Sequence, residues 1–252
     1  MIRHIALILL MAVTAYGSDT TKEVFKKAAV YYVEGKYESA IAQYESLLTG
    51  GLESGELYYN IGNCYFKTGD LGRSTLYYER AKRLIPNDAD LKANYEFVRS
   101  QLPDKGKSQQ PALFKRLLDR VFGVFTIDGI CVMITVLYIF VVALLITRFY
   151  LDAVRRYLLL LISITAIVFV VASFVLYERI SVAGSEAVVL ADKAEVRYEP
   201  FSDATVFFTI TVGTKVQVQQ IKSDWYKVRR LDGKQGWVSR KAIAVVAEKG
   251  EQ

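Results

Sequence analysis

Histidine is nearly absent from the sequence, whose 252 residues include one, His4. Because we expect His4 to be removed with a signal peptide, the mature chain cannot build a Ser-His-Asp or Cys-His catalytic site, or a zinc site with imidazole ligands. Carboxylate and lysine chemistry remain open, but no pair of such residues stands in a motif that indicates catalysis. We therefore predict a protein that is not an enzyme and needs no metal or cofactor.

Cysteine is also scarce, with two residues in the chain. Cys64 falls in a predicted helix, whereas Cys131 lies inside a long apolar run. The two thiols therefore cannot meet to form a disulfide. Neither cysteine belongs to a zinc or redox motif, so no cysteine-based site is predicted.

Charged residues are unevenly placed along the chain. The net charge is +6, but the lysines and arginines form neither an arm nor a single stripe, which argues against a nucleic-acid partner. Two runs, residues 129–147 and 157–177, lack charged residues altogether. As helices they reach about 28 and 32 Å, enough to span a bilayer. We predict transmembrane helices over residues 127–147 and 157–177, which form an anchoring hairpin without the buried charges that transport requires.

The loop of this hairpin, residues 148–156, holds three arginines and one aspartate. Such loops favour the cytoplasmic side, so both flanks of the hairpin should lie outside. Five basic residues before the first span favour the opposite orientation: Lys105, Lys107, Lys115, Arg116 and Arg120. A signal peptide would outweigh them, because it starts translocation before they are made.

Residues 1–17 have the pattern of a signal peptide. Arg3 and His4 form a basic start, residues 5–13 are apolar, and Ala15 and Gly17 are small where signal peptidase cleaves. The apolar stretch is shorter than the roughly 20 residues that span a bilayer. We predict cleavage after Gly17, and an uncleaved anchor helix is the alternative.

A period of 34 residues relates two segments of the next region, residues 18–103. It aligns Tyr31 with Tyr65, and Tyr44 with Tyr78. This period, the small residues where paired helices approach, and Pro86 after the second helix resemble the tetratricopeptide repeat. The resemblance implies an all-α solenoid in which each repeat pairs an A helix with a B helix. Residues 87–102 predict a closing helix that covers the last repeat.

The A helices of such a solenoid line a groove. Asn60, Asn63 and Lys67 share one face of the second A helix, and Asn94 repeats Asn60 one period later. We predict that these four residues bind a partner protein through hydrogen bonds. The alternative is that they are ordinary exposed polar residues on helices.

Between the solenoid and the first span, residues 104–126 predict a polar linker followed by an amphipathic helix. The helix should lie at the level of the lipid headgroups, because its apolar and charged residues occupy opposite faces. The linker should allow the repeat domain to move relative to the membrane. The apolar face consists of Leu113, Phe114, Leu117, Leu118, Val121 and Phe122.

Residues 181–247 change to short strands separated by turn signals. Six such strands predict a small β-barrel. The segments WYKV (225–228) and DGKQGWV (232–238) resemble the bacterial SH3 domain. This resemblance implies an aromatic groove for peptides or cell-wall material, with Tyr198, Trp225 and Trp237 as candidate contacts. Trp225 fits a core position equally well, and Trp237 favours the core.

The order of these parts resembles the BatE-like proteins of the Bat aerotolerance operons. The resemblance implies a bacterial inner-membrane protein with both soluble modules in the periplasm. It also implies partners, namely Bat proteins with von Willebrand A domains and a MoxR-type ATPase, in envelope integrity or oxidative-stress tolerance. We predict a multidomain membrane scaffold for protein–protein interaction. The alternative is an envelope sensor that binds cell-wall material through its SH3 domain.

Overall fold

The structure is a computed structural model that describes residues 20–103, 118, 121–150 and 155–247. The predicted signal peptide, residues 1–17, lies outside the described residues. So does most of the predicted linker and interfacial helix. The described chain contains a helical module, two long apolar helices and a strand-rich module, as the sequence predicted at this coarse level.

The helical module contains five helices. The side-chain oxygens of Ser54, Asp70 and Asp88 each accept a hydrogen bond from the backbone N–H three residues later, which fixes the start of α3, α4 and α5. Gly35 and Gly69 follow the A helices at equivalent positions of the 34-residue period. Both adopt a positive φ, which favours glycine. The helices are α1 (20–33), α2 (Tyr37–Thr49), α3 (Gly55–Lys67), α4 (Leu71–Leu84) and α5 (Ala89–Gln101).

Close packing of α3 against α4 explains the small residues of the repeat. A Cβ atom on Gly62 would come within 2.7 Å of the Tyr78 ring, so the ring occupies the space that a larger residue would need. Ser74 Oγ donates a hydrogen bond to the carbonyl of Gly62 at 3.0 Å. Tyr78 itself is 1% exposed and lies in the centre of the module's core together with Tyr44.

Two long apolar helices follow, α6 (Ile127–Tyr150) and α7 (Arg155–Ala183). They run antiparallel, because Ile130 near the start of α6 packs against Ala172 and Val175 in the second half of α7. Both are long and apolar enough to cross a membrane. In their most apolar windows 11% and 17% of the residues are buried within the protein. Their apolar side chains therefore face outward, unlike those of a helix in a soluble core.

The strand-rich module begins two residues after α7 ends and forms one antiparallel sheet. Its buried residues alternate along the strands and form a core that includes Val196, Ile210, Tyr226, Val228 and Val238. The strands are β1 (Glu186–Val189), β2 (Lys193–Arg197), β3 (Val206–Thr211), β4 (Lys215–Lys222), β5 (Trp225–Arg230), β6 (Gln235–Ser239) and β7 (Ile243–Val245).

The strand-rich module is present as predicted, but its sheet is open and does not close into the predicted barrel. Its order is β3-β2-β6-β5-β4-β1-β7, and the two end strands do not pair with each other. The seventh strand, β7, was not predicted. It contains three residues and pairs with β1. The end of β7 contacts α4 rather than β3. Arg80 of α4 donates hydrogen bonds to the carbonyls of Val245 and Val246.

The other edge of the sheet is β3. This strand is apolar, yet Val206 and Phe207 are each 40% exposed. Tyr198 shields part of Phe207, with 4.5 Å between the ring centroids. An exposed strand edge of this kind can accept a further strand.

Candidate protein-binding surfaces

The predicted groove residues lie on the A-helix side of the module, on α3 and α5. Asn60 and Asn63 are half-buried on α3, whereas Lys67 and Asn94 are exposed. The structure therefore brings the four residues to neighbouring helices, as the 34-residue period indicated. Their roles differ, however, because two of them are engaged with other side chains.

Asn63 and Asn94 belong to a hydrogen-bond network that connects three helices. Tyr78 donates from its hydroxyl to Asn63 Oδ1 at 2.6 Å. Asn94 Nδ2 donates to the same oxygen at 3.2 Å and to the Tyr59 hydroxyl at 2.7 Å. Asn63 thus accepts the hydrogen bond of a nearly buried tyrosine hydroxyl, so its side chain contributes to the stability of the module. Asn60 and Lys67 do not take part in this network, so they are the better candidates for contact with a partner.

Apolar residues extend the same face, and sequence reasoning missed them. Phe97 is 56% exposed and packs edge-on against Phe66, with 5.6 Å between the ring centroids. Val33, at the end of α1, is 86% exposed. The period could have found both, since Phe97 follows Asn63 by 34 residues and Val33 precedes Lys67 by 34. The face thus combines amide, ammonium and apolar groups.

The aromatic candidates of the strand-rich module fall into two groups. Tyr198 is 58% exposed and stacks on Phe207 beside the β2–β3 turn. Trp225 and Trp237 lie on β5 and β6. In the described chain no ring contact joins Tyr198 to either tryptophan. These residues therefore do not form one continuous aromatic groove.

Both tryptophans face away from the core of the sheet. Their neighbours Tyr226 and Val238 are buried, whereas Trp225 and Trp237 are partly exposed and do not belong to the core cluster. Our expectation that Trp237 favours the core was therefore wrong. Trp237 pairs with Arg197 on one side and with Lys227 on the other, and the Arg197 guanidinium is ion-paired with Glu195. This outer face suits a ligand group that stacks on an aromatic ring.

Burial raises the pKa of the Cys64 thiol to about 12, so this cysteine is not a thiolate nucleophile at neutral pH. Among the residues that the structure describes, no cluster of three histidine, cysteine, aspartate or glutamate side chains could hold a metal ion. The surfaces offer hydrogen bonding, charge and apolar contact, which are the means of recognition.

Two family models match the chain. The model described as tetratricopeptide repeat matches residues 55–88, which contain α3 and α4. The model described as bacterial SH3 domain matches residues 192–244, which contain most of the open sheet. No curated protein matches the chain. The models thereby confirm one tetratricopeptide repeat and a bacterial SH3 domain, and we call the helical module the repeat module and the strand-rich module the SH3 module below.

Proposed function

We propose that this protein is a non-enzymatic scaffold of the bacterial inner membrane, which presents its repeat and SH3 modules to periplasmic protein partners. The observation that carries the proposal is that two interaction modules flank a pair of long apolar helices in one chain. Tetratricopeptide repeats and SH3 domains are recognition folds, and the outward-facing apolar surfaces of α6 and α7 suit lipid.

The SH3 module lies close to the end of the apolar pair. Two residues separate Ala183, the last residue of α7, from Glu186, the first residue of β1. An extended chain spans at most about 3.6 Å per residue, so this connection reaches about 10 Å. The module therefore sits at the membrane surface, within reach of other membrane proteins.

The repeat module is also held near the apolar pair. Asn87 Nδ2, beside the start of α5, donates a hydrogen bond to the carbonyl of Val124 at 2.7 Å. Arg179, near the end of α7, donates to the carbonyls of Phe125 and Phe122 at 2.6 and 2.8 Å. The turn before α6 thus connects the repeat module to α7. These contacts restrict the free movement that we expected from the linker.

The proposed partners are membrane-associated proteins. The order of modules resembles that of BatE-like proteins, so we propose Bat proteins with von Willebrand A domains and a MoxR-type ATPase complex as the setting. The second candidate function is a cell-wall-binding sensor, favoured by the partly exposed Trp225 and Trp237 on the outer face of the sheet. A position at the membrane surface favours the scaffold, since a wall polymer must approach the membrane to reach this face.

Co-purification of the full-length chain from solubilised membranes tests the proposal. We expect Asn60→Ala/Lys67→Ala to reduce the recovery of membrane partners, because it removes the polar groups that the network does not use. Lys241→Ala, an exposed lysine of the SH3 module that lies outside its strands, is the matched control and should retain them. A cell-wall pull-down of the same full-length proteins forms the second arm.

The scaffold and the cell-wall sensor predict different results for Trp225→Ala/Trp237→Ala. A scaffold that works through the repeat groove keeps its membrane partners in this variant. A wall sensor loses binding to the cell-wall fraction while the groove variant binds normally. Retention of every membrane partner by the groove variant, together with loss of wall binding by the tryptophan variant, would refute the scaffold.

A further inference from the structure

The outer face of α4 is covered by the SH3 module. In a two-repeat solenoid this side of a B helix would face solvent, yet Leu76 is 4% exposed. It forms a small apolar cluster with Val188 of β1 and Val246, which follows β7. A contact of this kind removes apolar surface from water on both modules.

A network of charges lies beside this cluster. Lys215 Nζ, on β4, is 3.0 Å from Glu79 Oε1 of α4 and 3.3 Å from Glu186 Oε1 of β1. Tyr95 of α5 donates its hydroxyl to the same oxygen of Glu79. Glu79 therefore joins α4, α5 and the sheet through one carboxylate.

The network depends on both modules at once. Burial alone would raise the pKa of Glu79, but the Lys215 ammonium lowers it below the ordinary value. Burial alone would lower the pKa of Lys215, but Glu79 and Glu186 raise it. Each side chain stays ionised because of its oppositely charged partner, and removing one partner leaves a buried charge without compensation.

Two glycines allow the modules to approach this closely. A Cβ atom on Gly72 of α4 would lie 3.0 Å from the Cα and carbonyl oxygen of Leu190, which are backbone atoms that cannot rotate away. A Cβ atom on Gly213 of the SH3 module would lie 2.5 Å from Leu102. The close fit at these two glycines and the charge network therefore support the same arrangement of the two modules.

We infer that the SH3 module docks on the outer face of α4, so that the repeat and SH3 modules form one closed body in the resting protein. The Glu79–Lys215–Glu186 network sets the position of the docked module, and the Leu76 cluster excludes water from it. The inference is independent of which ligands either module binds. It assigns the outer face of α4 to an internal partner and leaves the A-helix face free for other proteins.

Hydrogen–deuterium exchange of the full-length chain in lipid nanodiscs tests the docking. Lys215→Met should speed exchange at residues 186–190 and 243–246 at least about tenfold, because Glu79 loses its cation. Lys222→Met, on the same strand but exposed, should leave exchange unchanged. Glu79→Gln/Lys215→Met/Glu186→Gln should restore slow exchange, because it removes all three charges of the network and keeps an acceptor for the Tyr95 hydroxyl.

Gly72→Ala provides a second variant that does not remove a charge. Alanine favours the helix, so α4 should stay protected while residues 186–190 and 243–246 exchange faster. Unchanged exchange in these segments for both Lys215→Met and Gly72→Ala would overturn the inference. Equal acceleration by Lys215→Met and Lys222→Met would overturn it as well.

Discussion

Arg80 Nε donates a hydrogen bond to the carbonyl of Val246 at 3.1 Å, although the two residues are 166 positions apart in the sequence. The guanidinium also lies over the rings of Tyr58 and Tyr77, which hold it in place. Both long apolar helices lie between Arg80 and Val246 along the chain. If α6 and α7 cross a bilayer, a contact between these residues requires both soluble modules on the same side.

We predict that reporter fusions after Pro103 and after Gln252 will both show periplasmic activity. A fusion within residues 151–154 should show cytoplasmic activity, because three arginines surround this connection. Alkaline phosphatase and a cytoplasm-active fluorescent protein at each position provide the measurement. Opposite locations for the two outer fusions would contradict both the hairpin and the docking.

Replacement of Tyr78 by alanine should lower the free energy of unfolding by about 3–5 kcal/mol, because it empties a fully buried site between α3, α4 and α5. Asn60→Ala, on the partner-facing side, should change it by at most about 0.5 kcal/mol. Chemical denaturation of the full-length protein in detergent, followed by helical circular dichroism, compares the two. Similar losses in both variants would show that Asn60 is part of the core.

Asn63→Ala should be more destabilising than Asn60→Ala, although both are asparagines on α3. The substitution removes the acceptor of the Tyr78 hydroxyl, and an unsatisfied, nearly buried hydroxyl costs about 1–3 kcal/mol. The same denaturation experiment measures the difference. Addition of Tyr78→Phe to Asn63→Ala should recover most of the loss, because the hydroxyl is then absent. No recovery in this double variant would separate Asn63 from Tyr78 energetically.

The docked network should make stability depend on acid pH. Because the pKa of Glu79 is lowered in the folded protein, its contribution is complete above the ordinary glutamate value. The contribution is lost as pH falls through the lowered folded pKa. The melting temperature should therefore fall more steeply between about pH 5 and about pH 3 in the wild type than in Glu79→Gln.

Glu96→Gln, an exposed carboxylate on α5, is the control for this measurement and should keep the wild-type slope. At alkaline pH, the contribution of Lys215 to stability changes with pH in the opposite direction. Its raised pKa means that the contribution is complete below the ordinary lysine value and is lost as pH rises through the folded pKa. Identical acid slopes in the wild type and in Glu79→Gln would remove Glu79 from the pH response.

Local patterns in the sequence predicted the helices and most strands. The 34-residue period depends on contacts between adjacent helices, such as Gly62 with Tyr78, and these recur along the chain. Barrel closure depends on pairing between the first and last strands of the sheet. Strand β7, with three residues, carries too little pattern to reveal its partner.

The docking surface was equally hidden from sequence reasoning. Glu79 and Lys215 are charged residues on a helix and a strand, and single-sequence patterns assign such residues to solvent. Their pairing is a tertiary contact between segments 136 positions apart. One local signal pointed to the docking surface, because Leu76 is a large apolar residue at the position where the first repeat has Ala42. The A-helix residues were easier to find because repetition placed them in register.

The two-residue connection between α7 and β1 gives the protein a mechanical property. Because the connection is so short, the sheet stays close to the end of α7 and is carried along when that end moves. Because the sheet is seated on α4, the repeat groove must turn with it. In the proposed arrangement, a change in the tilt of α7 therefore displaces the repeat groove relative to the lipid surface. Bilayer thickness, which sets helix tilt, then becomes a variable that governs where partner proteins are held.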